Sequence, residues 1–134
     1  MFNISKYITS GLKNTLKLLN GTNFSYKGPW VQVYDNTVLD QWYVGDFFGA
    51  EYTICVDHNT SQKEIIKCLV VSGPDTAGVT IYGRSNLGNP LITITASVDS
   101  SRVSVIVNPK SNTYRGSKIF FSANYYSTVN ELMP

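Results

Sequence analysis

Two hydrophobic periods divide the chain. In the first 28 residues, Ile8, Leu12, Leu16 and Leu19 recur at spacings of 4, 4 and 3, which puts them on one helical face. Thr9 or Ser10 caps its start, Asn20-Gly21 stops it, and Lys13 and Lys17 fall on the other side. A helix this short is marginal alone in water, so its apolar stripe must dock. Gly28-Pro29 marks a boundary, dividing an arm over 1–28 from a body over 29–134. That break makes a neighbouring subunit or partner the expected docking site.

From Trp30 onward the period is two. In "WVQVYD", Val31 and Val33 share one face; in "AEYTICVD", Tyr52, Ile54 and Val56 point inward and Glu51, Thr53, Cys55 and Asp57 outward. "KEIIKCLVVS" is apolar on both faces, as in a central strand. "GVTIYG", "PLITITASV", "RVSVIVNP" and "KIFFSANYY" follow, separated by turn-rich breaks at 57–61, 73–75, 86–89, 99–101 and 108–116. Seven or eight short strands at this spacing predict an all-β body, an antiparallel β-sandwich or jelly-roll-like domain behind a short helical arm. No helix-length segment alternates with these strands, which argues against βαβ folds. Ile54, Ile66, Val70, Ile81, Ile94, Val105 and Phe121 sit on the apolar faces and are the expected core.

One spacing suggests chemistry. Gly83 and Gly88 are separated by four residues, as in a phosphate-binding loop. Such a loop needs Lys and then Ser/Thr after the second Gly, and must run into a helix. Here Asn89 and Pro90 follow, and then the β-branched run "LITIT". The segment is read as a hairpin connection in which Gly88 supplies a positive φ.

Composition removes further functions. The 134 residues include 13% aromatics but only 15% charged residues, unlike a disordered chain. Four lysines and no acid lie in residues 1–28; the body has seven bases against nine acids. So weakly charged a body holds few phosphates, and direct nucleic-acid contact is not expected. The start lacks a secretory pattern, and no run reaches the length of a membrane span. Cys55 and Cys68 are therefore expected as free thiols. The single histidine, His58, makes with them at most a sparse ligand set, and there is no G-x-S-x-G elbow. The nine acids are scattered and read as solvated turn residues. No catalytic residue, metal site, cofactor or small-molecule substrate is expected.

Aromatic residues carry the remaining signal. Trp30, Tyr34, Trp42, Tyr43, Phe47 and Phe48 crowd together. Such a cluster is core filling, a subunit contact or a sugar-stacking platform. Trp30, Trp42 and Tyr43, with the stripe Ile8, Leu12, Leu16 and Leu19, are the candidate partner-docking positions.

The order "QWYVGDFFGAEYTICVD", "KEIIKCLVVS", "VTIYGRSNLGNPLITITASVDSSRVSVIVNP" and "GSKIFFSANYYSTVNEL" resembles small virion structural proteins of tailed phages, those of T4-like marine cyanophages in particular. The resemblance covers roughly residues 41–131 and rests on an "A-x-Y-x-I" strand (Ala50, Tyr52, Ile54) and a closing "A-x-Y-Y-x-T" strand (Ala123, Tyr125, Tyr126, Thr128). It implies a β-sandwich without catalysis that decorates, connects or cements capsid, neck or tail. Its partners would be copies of itself and other virion proteins, after assembly in the host cytoplasm. The alternative is a carbohydrate-binding module using exposed Trp and Tyr.

Overall fold

The structure, a computed structural model, describes residues 23–127. The amphipathic helix expected within the arm, with docking positions Ile8, Leu12, Leu16 and Leu19, lies outside the described residues. Those described form nine strands: β1 (Asn23–Lys27), β2 (Val31–Gln32), β3 (Thr37–Tyr43), β4 (Phe47–Asn59), β5 (Gln62–Ser72), β6 (Ala77–Asn86), β7 (Ile92–Asp99), β8 (Arg102–Pro109) and β9 (Lys118–Ser127). A single 3-10 turn, Asn112–Tyr114, precedes β9.

All pairing is antiparallel. The larger sheet has the order β1-β9-β4-β5-β6, with β2 also on β9; the smaller is β3-β8-β7. Period-two patterning makes each strand two-faced, and the inward faces of both sheets feed one core. Tyr52, Ile54, Ile66, Val70, Phe121 and Tyr125 come from the larger sheet, and Trp42, Ile92, Ile94, Val103, Val105 and Val107 from the smaller. Each such side chain contributes roughly 1.5–3 kcal/mol by leaving water.

Six of the seven expected core positions are buried; Ile81 is 41% exposed. A register shift between Lys67 and Cys68 pairs Lys67 with Gly83 and Cys68 with Ile81, leaving Tyr82 as an extra residue. Ile81 thus faces the inward side of β6, an edge strand of the larger sheet, where the smaller sheet does not cover it.

Three other expectations change. Residues 23–27, grouped with the arm, form β1 along β9, and the Gly28 amide extends the pairing by donating to the Phe121 carbonyl at 2.9 Å. Gly28 is needed there: a Cβ would lie 2.1 Å from the Phe121 ring. β5 lies inside its sheet, yet among the described residues only one of its faces is covered. Finally, the connection after β6 is no hairpin, because β6 and β7 lie in different sheets. Gly88 does have the expected positive φ, +87°, in a loop that crosses between the sheets.

Candidate interaction surface

Two acids expected in solvent are buried. The bulge between Val38 and Asp40 turns Asp40, together with Trp42, to the inward side, opposite buried Val105 and Val103. There its Oδ2 accepts hydrogen bonds from Tyr52 at 2.7 Å and Tyr125 at 2.6 Å. The Trp42 indole N–H donates to the Tyr52 hydroxyl at 3.1 Å. This network ties β3 of the smaller sheet to β4 and β9 of the larger. Burial, and then the Asp40 carboxylate, hold both phenols well above their ordinary pKa.

Glu64 is the second. On β5 it lies 3.3 Å from Arg84 Nε on β6, an ion pair whose geometry falls short of an aligned hydrogen bond. Glu64 also accepts from the Asn86 side chain and the Leu91 amide, both at 3.2 Å, and Arg84 donates to the Ile92 carbonyl. Neutralised this way, the carboxylate pins the crossing from β6 to β7. Both networks belong to the architecture.

His58 lies in β4, and its Nδ1 is 2.8 Å from Ser117 Oγ. The Ser117 hydroxyl donates to the Tyr114 carbonyl at 2.7 Å. Its one proton is used there, so His58 Nδ1–H must be the donor to Ser117. A serine whose proton is held by a carbonyl and whose side chain is buried is not poised for attack. Instead the pair, with His58 edge-on to Tyr114, fastens the 3-10 turn to the end of β4. Cys55 and Cys68 are free and lie on opposite faces of the sheet, Cys68 in the core and Cys55 outward. Burial raises the pKa of both thiols, that of Cys68 to about 11. Among the described residues, no three His, Cys, Asp or Glu side chains gather as a metal site.

The aromatic cluster disperses. Trp42 is 1% exposed and, with Phe47, belongs to the core; its place among the docking positions is corrected, because Asp40 and Trp42 share the inward face of β3. Trp30 is 60% exposed and lies under the Lys118 ammonium at the start of β9. Tyr34, on the same end, lies under Arg115, which pairs with Asp35 at 2.7 Å. Tyr43 is exposed at the far end, under Arg102, which also donates to its hydroxyl. The sequence neighbours thus share no single platform, and Trp30, Tyr34 and Tyr43 each have a cation over one face.

The surface that the sequence did not single out is the outer face of the larger sheet. Register places Phe120, Cys55 and Ile65 in one row across β9, β4 and β5. With Leu87 they line a groove of about 360 Å³, rimmed by Asp57 and Lys63, which pair at 2.9 Å. Toward the other end of the strands stand Leu69 and Val71 of β5, Tyr82 of β6, and Phe48, whose ring is tilted 45° against that of Tyr126. Tyr82 donates to Glu51 across β5 at 2.8 Å. Eight large apolar side chains (Phe48, Ile65, Leu69, Val71, Tyr82, Leu87, Phe120 and Tyr126) are therefore exposed on one face. The signal for this was the apolar outward set of "KEIIKCLVVS", which looked like double-sided burial.

No protein-family model matches the chain, and no curated protein matches it. Among solved structures it is similar to the tailspike protein of Acinetobacter baumannii phage AM24, with a TM-score of 0.43 and 12% identity over 80% of this chain and 26% of that one. It is also similar to the tailspike protein gp49 of A. baumannii bacteriophage Fri1, a capsular polysaccharide depolymerase, with a TM-score of 0.42 and 12% identity over 82% of this chain and 18% of that one. The tailspike protein of Acinetobacter phage vB_ApiP_P1 gives a TM-score of 0.37 and 17% identity over 81% and 21%. The chain spans about a quarter or less of the length of each.

Proposed function

We propose that this protein is a non-enzymatic structural component of a tailed-phage virion, a β-sandwich module that assembles with copies of itself and with other virion proteins. The finer reading is the T4-like cyanophage type, with a role in decorating, connecting or cementing capsid, neck or tail. One observation carries it: a domain with a complete core of its own still exposes eight large apolar side chains on one sheet face. A monomeric protein rarely leaves so many large apolar side chains on one face in water, whereas an assembly module uses them as contacts. The sequence resemblance to virion structural proteins points the same way. The stripe Ile8, Leu12, Leu16 and Leu19 is proposed as a second attachment, onto a neighbouring subunit.

Mass spectrometry of gradient-purified particles tests this. The chain is expected at a copy number comparable to other structural proteins. Recovery only in the soluble lysate overturns the proposal, and binding on a glycan array would favour the carbohydrate-binding alternative. Deleting residues 1–22, which spares β1, should leave a folded β domain that incorporates poorly.

A further inference from the structure

We infer that the outer face of β9, β4, β5 and β6 packs against the same face of a second copy of this chain. This inference rests on the assembly reading above and names its surface. Aromatic rings carry roughly 150–250 Å² each, and about half of that is open here, so the eight exposed side chains present on the order of 700 Å². A standard interface takes about 800 Å² from each partner. One sheet face therefore supplies nearly a whole side of a stable contact.

Charge selects the occupant. The outward charged residues of these four strands are Lys63, Lys67 and Lys118 against Glu51 and Asp57. Lys63 and Asp57 already pair, and Tyr82 donates to Glu51. With a net charge of one over four strands and its acids satisfied, the face demands no strongly acidic partner and repels its own image only weakly. It meets the requirement of a two-fold contact, in which one patch must complement itself. Phe48, Tyr82, Phe120 and Tyr126 supply the aromatic anchors that dominate such contacts.

The test is sedimentation velocity of the full chain from about 1 to about 100 µM. The wild type should self-associate. Leu69→Lys with Val71→Lys should weaken association at least about tenfold. Thr95→Lys, on the outer side of the smaller sheet, should not. Circular dichroism checks that each variant is folded; should the lysine pair misfold, Leu69→Ser with Val71→Thr decides. A wild type that stays monomeric, or folded face variants that associate normally, overturns the inference. Neither result bears on particle content, so failure of this interface is distinguishable from failure of the virion reading.

Discussion

Removing the Tyr52 hydroxyl, in Tyr52→Phe, should be the most costly single-oxygen change in the domain. That oxygen has two roles in the core: it donates to Asp40 and accepts from the Trp42 indole. A hydrogen bond to a charged group is worth about 1.5–3 kcal/mol, and a buried donor left unmatched costs a further 1–3 kcal/mol or so. The expected loss is thus about 3–5 kcal/mol. Tyr125→Phe removes one bond to the same Oδ2 and should cost about 2 kcal/mol. Tyr82→Phe removes a phenol–carboxylate bond of nearly equal length, 2.8 Å, but on the exposed face. Water replaces it there, and the loss should stay within about 0.5 kcal/mol. Urea unfolding followed by circular dichroism and by tryptophan fluorescence ranks the three. The order Tyr52, Tyr125, Tyr82 is required. If Tyr52→Phe costs no more than Tyr82→Phe, Asp40 is not a buried tie between the sheets.

Alkaline pH should unfold the protein more steeply than an ordinary surface tyrosine would allow. Burial raises the Cys68 thiol to about 11 and Tyr52 and Tyr125 well above their usual range; a raised folded pKa means full stability below the unfolded value and loss above it, so stability should fall by about 1.4 kcal/mol per pH unit for each group once pH passes roughly 9 for the thiol and 10 for the phenols. Tyr125→Phe should reduce that slope by one group, and a pH titration of the urea midpoint reads it. The β7–β8 turn is Ser100-Ser101, with φ of 53° and 64°, the sign pattern of a type I′ turn, which favours Asn-Gly; Ser100→Asn with Ser101→Gly should stabilise by about 1 kcal/mol through relief of left-handed strain, and a lowered melting temperature would refute it. Gly28→Ala puts a methyl where the Phe121 ring lies; overpacking should cost about 1–3 kcal/mol in urea unfolding, while an unchanged midpoint would show that the strand edge yields freely.

Much of the fold was legible in the sequence because period two is a local property. Tyr52, Ile54 and Val56 alternate with polar neighbours, and their burial follows from the pleat once a strand forms. The failure of the phosphate loop was also local, since it depended on Asn89, Pro90 and the β-branched run after them. What the sequence left open depended on which strands meet. "KEIIKCLVVS" reads identically whether one or both faces are covered; only the sheet order shows Ile65, Leu69 and Val71 facing outward, exposed among the described residues. Asp40 reads as a turn acid until a bulge in β3 turns it toward two phenols that stand 12 and 85 residues away in the chain. Ile81 lost its place in the core because β6 is an edge strand that the smaller sheet does not cover, and Trp42 gained one through the bulge that turns it inward with Asp40. Alternation sets which side of a strand a residue occupies, but long-range pairing decides what, if anything, lies on that side.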